Sequence, residues 1–210
     1  MNAGLLQSVI LRRSTNGGTT WSTVQQVQYA YYDGTTTNGN AGDLETATIE
    51  DPSSNVLGTY YYRYYTPTTD GSIGYTHGLE YELTPRSYAQ LAGTGVNPLT
   101  ATNAQLSPYA DMAYEYNSSQ RVTQVVVGGA GVSTTSGLGT YTYSYTTSLN
   151  SPGYNSWAVE TVETLPDGST NTVFTNSNVT ARRITSRIGW EGNEVRPTDC
   201  GSAGLTCIDR

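Results

Sequence analysis

The residues best suited to acid–base chemistry in this sequence are one histidine and a scattered set of carboxylates. A serine–histidine–aspartate site would need His77 as its base, because His77 is the only histidine. His77 lies in Gly74-Tyr-Thr-His-Gly78, which has the composition of a loop. Glycoside hydrolysis would need two carboxyl groups across a cleft. The acids instead occupy turn-like or strand-like positions, so we expect structural roles and no catalytic residue: Asp33, Asp51, Asp70 and Asp167 at turns, and Glu45, Glu50, Glu160 and Glu163 on strands.

Metal and cofactor sites are not indicated. A calcium loop requires acids at alternate positions, and no such cluster occurs. Gly137-Leu-Gly139 lacks the third glycine and the following helix of a dinucleotide-binding loop. Cys200 and Cys207 are the two cysteines of the chain, too few for a zinc site, and they either pair with each other or stay free.

Tyrosine is the one aromatic residue present in quantity, with 18 tyrosines against 3 tryptophans and 1 phenylalanine. Tyrosines occupy every second position at 60, 62 and 64 and at 141, 143 and 145, so in an extended strand each row of rings shares one face. Such rows can form cross-strand ladders that hold a sheet together, at about 0.2–1 kcal/mol per pair. They can alternatively stack on sugar rings, and the candidate glycan-stacking residues are then Tyr60, Tyr62, Tyr143 and Tyr145.

The composition narrows the class of protein. Hydrophobic residues make up 36% and charged residues 13% of the chain, against roughly 45–50% and 25% in ordinary globular domains. Threonine, serine, asparagine and glycine take their place, which is typical of strands and turns. A net charge of −7 without any lysine argues against a nucleic-acid partner. No apolar run approaches the roughly 20 residues of a membrane helix, and residues 1–13 lack the order of a signal peptide, so we expect no membrane insertion and an export signal elsewhere.

Alternation of apolar and polar residues between turn signals predicts an all-β fold. Asn16-Gly17 and Asp167-Gly168 are strong hairpin turns, because such turns need positive φ. The expected architecture is a curved, open strip of antiparallel β-hairpins. Its predicted strands are residues 5–11, 20–32, 44–50, 56–65, 112–116, 121–127, 140–146, 156–165 and 169–175.

Two segments interrupt this pattern. Residues 66–110 form an expected insertion with one or two short helices, in which Thr84 can cap, Pro85 can begin and Gly93 can stop a helix through a left-handed conformation. Residues 179–210 contain arginines and both cysteines but no tyrosine. The predicted organisation is therefore a repeat region at 1–178 and an irregular tail at 179–210.

The predicted hairpins share one recurring unit: a strand with Tyr-x-Tyr, a turn of small polar residues and an outgoing strand of valine and threonine. Its recurrence indicates an array rather than one closed core. The unit resembles the YD repeats of the RHS family, which read approximately Tyr-x-Tyr-Asp-x-x-Gly-Arg-Val/Leu-Thr. Residues 114–125 match best, with Asn117 in place of the aspartate and Gln120 in place of the glycine. The residues that carry the motif are Tyr29, Tyr31, Asp33, Gly34, Tyr114, Tyr116, Asn117, Arg121, Tyr141 and Tyr143.

The resemblance implies a function without an active site. In such proteins the strip of sheet spirals into a large hollow shell around a C-terminal toxin or effector segment. This chain would be wall without plug or lid, because the family's closing features are absent, including the Asp-Pro-containing core motif at which some members cleave themselves. The implied partners are further repeats of the same longer protein and an enclosed toxin, at a secreted or cell-surface location. The alternative is a carbohydrate-binding or adhesive surface module that uses the tyrosine faces.

Overall fold

In a computed structural model, the chain forms two compact units, Met1–Gly139 and Thr140–Arg210. The structure describes residues 4–69, 71, 73–128, 139–149 and 157–175, together with the backbone of 184–188. Cys200, Cys207 and most of the predicted irregular tail lie outside these residues.

The first unit is an antiparallel sheet in which each strand pairs with its neighbours along the chain. Valine, threonine and tyrosine dominate these strands, because their side chains fit a pleated, half-buried surface. The strands are β1 (Ser8–Arg13), β2 (Ser22–Tyr31), β3 (Leu44–Glu50), β4 (Val56–Tyr64), β5 (Leu79–Leu83), β6 (Met112–Tyr116) and β7 (Val122–Val127).

The second unit continues the same plan with β8 (Gly139–Thr147), β9 (Val159–Thr164), β10 (Thr170–Thr175) and β11 (Ile184–Ile188). Consecutive strands from β8 to β11 are paired antiparallel, and β9 and β10 form a hairpin. The ring of Trp157 meets that of buried Phe174 edge to face, with centroids 5.5 Å apart. Strand β11 falls inside 179–210, where the sequence predicts irregular structure.

The predicted all-β class, with antiparallel hairpins in an open sheet and short helices in an insertion, is confirmed. Helix α1 (Pro85–Gly93) and helix α2 (Asn103–Leu106) are followed by a 3-10 turn at Ser107–Tyr109. Pro85 begins α1, although the Thr84 side chain makes no capping bond. The prediction for Gly93 was wrong: Thr94 continues in the right-handed region, and Gly95 is the left-handed residue, with a φ of 87°.

Strand β5 lies within the segment predicted to be an insertion. Its sequence Leu79-Glu-Tyr-Glu-Leu83 alternates apolar and acidic residues, which is the pattern of a half-buried strand. Both helices of the expected insertion therefore lie in the connection from β5 to β6, whereas β3–β4, β6–β7 and β9–β10 are joined by short turns.

The helical connection packs on one face of the first sheet and encloses the core. Pro85 lies so close to β4 that a Cβ on Gly58 would come within 2.7 Å of its ring. The opposite face carries half-buried tyrosines, and among the described residues no other element of the first unit packs on it. Buried residues of the core include Tyr61, Tyr81, Leu83, Leu91, Ala101, Leu106, Ala110, Ala113 and Val126.

Candidate functional site: a repeated tyrosine clasp

The end of β2 is held to β4 by a tyrosine and the loop that follows it. The Tyr32 hydroxyl donates to the carbonyl oxygen of Tyr62 at 2.8 Å, and its ring meets Tyr64 edge to face with centroids 6.3 Å apart. The Tyr64 amide donates to the Asn38 carbonyl at 2.9 Å. Gly39 lies under the Tyr32 ring, where a Cβ would approach Cδ2 to 2.2 Å. These five residues form the first tyrosine clasp.

The same five roles recur between β4 and β6. The Tyr65 hydroxyl donates to the Tyr114 carbonyl at 2.8 Å, and its ring meets Tyr116 edge to face at 6.2 Å. The Tyr116 amide donates to the Ile73 carbonyl at 2.7 Å. A Cβ on Gly74 would lie 2.3 Å from Cγ of Tyr65. This second clasp shows that the hairpins share a structural repeat more detailed than the Tyr-x-Tyr motif.

Each of these connections also closes on a residue with left-handed backbone. The Tyr32 amide donates to the Asp43 carbonyl and the Gly42 amide donates to the Tyr32 carbonyl, both at 2.9 Å. Gly42 has a φ of 93°, and the equivalent residues His77 and Gln120 have φ of 75° and 61°. The same two bonds join Tyr65 with Gly78 and His77, and Asn117 with Arg121 and Gln120.

A β-bulge marks the second tyrosine of the Tyr-x-Tyr motif in β2, β4 and β6 of the first unit. The register shifts between Ala30 and Tyr31, between Arg63 and Tyr64, and between Glu115 and Tyr116. Because a bulge sets local twist and register together, its recurrence at one position gives successive hairpins the same pairing. The residues that the shifts leave unpaired on the facing strands are Glu45, Glu80 and Thr123.

The polar residues of the sequence motif act in turns. The Asp33 carboxylate accepts from the Thr35 amide at 2.8 Å and from its hydroxyl at 2.6 Å, and these bonds hold the pKa of Asp33 below its usual value. The Asn117 side chain likewise accepts from the amides of Ser119 and Arg121 at 2.9 and 3.1 Å. Gly34, the residue after Asp33, has a φ of 85°. By its backbone bonds, however, Asn117 is equivalent to Tyr32 rather than to Asp33.

The four candidate glycan-stacking residues divide between the two units. Tyr60 and Tyr62 are half-buried on β4 in the first unit, on the face away from the helices. Tyr143 and Tyr145 are half-buried on β8 in the second unit, as is the motif residue Tyr141.

Tyr143 belongs to a polar group on one face of the second unit. Its hydroxyl donates to Glu163 Oε1 at 2.9 Å, and Asn171 Nδ2 donates to Glu163 Oε2 at 2.8 Å. Burial, together with the negative charge of Glu163, raises the pKa of Tyr143 to about 12. The phenol is therefore a neutral donor at physiological pH. A ring, a carboxylate and an amide thus lie side by side.

His77 has a partner that the sequence did not indicate. Its Nδ1 lies 2.8 Å from Oδ1 of Asp43, with the His77 side chain 56% exposed and the Asp43 side chain 11% exposed. The other carboxylate oxygen of Asp43 accepts from the Asn40 amide at 2.8 Å. Because Asp43 and His77 end consecutive connections, the pair ties one repeat to the next. Nothing local in the sequence joins residues so far apart.

A buried network of Arg63, Asn103 and Glu80 was not predicted from the sequence. Arg63 is 1% exposed; its Nε donates to the Tyr61 hydroxyl at 3.0 Å and its Nη1 to Asn103 Oδ1 at 2.8 Å. Asn103 Nδ2 donates to Glu80 Oε1 at 2.7 Å. Burial raises the pKa of Glu80 to about 7, against the lowering effects of Arg63 and Asn103. The signal in the sequence was one cation inside a run of tyrosines.

In the part of the chain that the structure describes, no three histidine, cysteine or acidic side chains lie together in a way that could hold a metal ion. Within the same residues, neither helix is long and apolar enough to cross a membrane. No protein-family model matches the chain, and no match was found among curated proteins or solved structures. The RHS resemblance therefore stays a prediction.

Proposed function

We propose that this chain is a non-catalytic structural segment of a longer secreted or cell-surface protein, forming part of the wall of an RHS-type β-shell that encloses a toxin or effector. The observation that supports the proposal is the recurrence of clasp, left-handed turn and bulge at equivalent places along the first sheet. Two junctions with the same clasp, turn and bulge support a sheet that grows by adding units, as in other repeat proteins.

The distribution of burial supports a wall in the same way. One face of the first sheet is closed by the helical connection, whereas the other keeps half-buried tyrosines such as Tyr29, Tyr62 and Tyr114 without a covering element among the described residues of the first unit. A wall needs two different faces, one toward solvent and one toward the enclosed space.

Imaging of the longer protein that carries this chain tests the proposal directly. Cryo-electron microscopy is expected to show a closed particle with an internal cavity and these hairpins in its wall. A particle in which this chain stands outside as an isolated module would overturn the proposal.

A carbohydrate-binding or adhesive module is the second candidate, and the group around Tyr143 favours it. An aromatic ring beside Glu163 and Asn171 offers stacking together with hydrogen-bond acceptors and donors. Sugars are recognised through such combinations of apolar and polar contacts.

Glycan-array screening followed by calorimetric titration of the full chain tests this second function. Tyr143→Ala is expected to abolish binding, whereas the matched variant Tyr143→Phe keeps the ring and loses only the bond to Glu163. Absence of binding to any glycan, or binding unchanged in Tyr143→Ala, excludes the module.

A further inference from the structure

Strand β1 is placed against β2 as β3 is placed against β4. Ser8 and Thr46 each pair with the residue that precedes the first tyrosine of a Tyr-x-Tyr. Four positions before them lie Gly4 and Gly42, and both have a φ of 93°. The stretch from Gly4 into β1 therefore has the backbone of the outgoing half of a repeat.

A side-chain bond gives the same equivalence independently. The Tyr31 hydroxyl donates to the Leu6 carbonyl at 2.7 Å, and the Tyr116 hydroxyl donates to the Leu79 carbonyl at 3.0 Å. Tyr31 and Tyr116 are both the second tyrosine of a Tyr-x-Tyr. Leu6 and Leu79 thus hold one position in two repeats.

The backbone groups of Gly4 and Leu5 have different hydrogen-bond partners from those of Gly42 and Asp43. In the other connections, the left-handed residue and the next residue bond to the backbone at the end of the preceding strand, as Gly42 and Asp43 do with Tyr32. The Gly4 amide and the Leu5 carbonyl hold those places. Among the described residues no strand reaches them, and the Leu5 carbonyl accepts from the side chain of Gln7 at 3.1 Å.

Exposed apolar side chains mark the same edge. Leu6 is 54% exposed, whereas its equivalents Leu44 and Leu79 are half-buried. On β1 itself, Val9, Ile10 and Leu11 are 48%, 42% and 56% exposed. Within the described part of the chain β1 pairs with β2 alone, so both its backbone edge and its apolar groups are available to another strand.

Because Gly4 and β1 match the outgoing half of the internal repeats, we infer that residues 4–13 are the acceptor site for one more strand. That strand ends in Tyr-x-Tyr-Tyr, the sequence with which β4 and the following Tyr65 end. The strand pairs antiparallel with β1, and the backbone of its last tyrosine bonds to the Gly4 amide and the Leu5 carbonyl. The phenol of that tyrosine donates to the Tyr29 carbonyl, as Tyr32 does to Tyr62. The occupant is a hairpin from another segment of the longer protein, and in this respect the inference rests on the proposed function.

An extended chain tests the acceptor site. Residues 1–3 are replaced by a methionine and a copy of residues 56–76, so that Gly4 follows the copied loop as His77 follows the original. Because the Tyr29 amide donates to the Gln7 carbonyl, alternation turns the amides of Ser8 and Ile10 toward the free edge. Their hydrogen exchange is expected to slow about tenfold or more relative to the parent chain.

Two matched extensions control the experiment. A shuffled copy is expected to give no protection, and a copy carrying Tyr65→Phe is expected to lose about fivefold of it, the effect of one hydrogen bond. Exchange at Ser8 and Ile10 that is equal in the authentic and shuffled extensions overturns the inference.

The outcome is separable from that of the proposed function. A shell seen by microscopy together with an unprotected β1 would leave the wall in place and remove the acceptor site. Protection without a shell would keep the acceptor site and reject the wall.

Discussion

Gly42, His77 and Gln120 occupy one backbone position with three different side chains. Left-handed backbone costs a residue with a Cβ roughly 1–2 kcal/mol, whereas glycine adopts it freely at a cost of about 0.5–1 kcal/mol in the unfolded chain. We expect Gln120→Gly to raise the free energy of unfolding by about 0.5–1 kcal/mol in urea titration. The reverse change, Gly168→Gln at a φ of 81°, is expected to lower it by about 1 kcal/mol.

Gln120 is also where the sequence motif departs from the glycine of the resembled repeat. A Gln120→Gly variant less stable than the parent would show that the glutamine side chain makes contacts that outweigh its backbone strain.

Glu80 is expected to make stability depend on pH. Burial raises its folded pKa to about 7, above the unfolded value near 4.5, so the folded chain holds a proton that the unfolded chain releases. Stability therefore falls as pH rises from about 4.5 to about 7, by on the order of 2–3 kcal/mol. Denaturant titrations across this range measure the slope.

Glu80→Gln is the matched control, because its amide oxygen can still accept from Asn103. The difference in stability between parent and variant isolates Glu80 from the other carboxylates with shifted pKa. A difference that does not change with pH contradicts the prediction.

At the scale of elements, the clasps make two glycines indispensable. A Cβ on Gly39 would overlap the Tyr32 ring at 2.2 Å, so the loop and the ring must separate and the hydroxyl bond to Tyr62 is lost. We expect Gly39→Ala to destabilise the chain by about 2–3 kcal/mol, measured by urea unfolding. Gly93→Ala, with nothing within 4 Å in α1, is expected to be neutral or stabilising.

The helical connection depends on Arg63 in a similar way. Arg63→Leu leaves Asn103 Oδ1 and the carbonyl oxygens of Pro98 and Ala101 without their buried donor. It also removes the positive charge that lowers the pKa of Glu80. We expect a loss of about 3–5 kcal/mol of stability, because buried acceptors lose their partner and a buried carboxyl group loses its counter-charge. Limited proteolysis is expected to cut within residues 84–110 first. Arg12→Leu, an exposed change on β1, serves as the control, and equal protease resistance in both variants would contradict the role of Arg63.

At the scale of the molecule, the free edge of β1 is expected to drive self-association of the isolated chain. Exposed Val9, Ile10 and Leu11 beside unpaired backbone groups favour edge-to-edge pairing. Sedimentation velocity is expected to show oligomers that Ile10→Lys reduces. Leu57→Lys, at a position 61% exposed outside the β1 edge, is the control, and a monomeric parent chain would refute the prediction.

Strands and tight turns could be predicted because their signals are local. Alternation located four hairpins, and Asp167-Gly168 marked a turn whose glycine is left-handed. Strand β5 was missed although Leu79-Glu-Tyr-Glu-Leu83 alternates, because the strand is short and is followed by a helical signal.

The clasps could not be predicted for a physical reason. They join Tyr32 to Tyr62 and Tyr65 to Tyr114 through hydrogen bonds from the tyrosine hydroxyl to a backbone carbonyl. Because every residue has a backbone carbonyl, the residue type at the acceptor position does not indicate such a bond. The connections also differ in length, so the repeat has no fixed period. For the same reason the equivalence of Asn117 with Tyr32 appears only in the backbone bonds.

The connections that carry the clasps have two fixed points and a stretch of free length between them. In both connections a backbone carbonyl and the glycine after it contact the next repeat, namely Asn38 with Gly39 and Ile73 with Gly74. A left-handed turn then leads into the next strand. The stretch from Tyr65 to Gly74 is longer than the stretch from Tyr32 to Gly39. The connection through Asn117 and Gln120 has the left-handed turn but not the clasp. We therefore expect sequence inserted between these two fixed points to leave the register of the sheet unchanged.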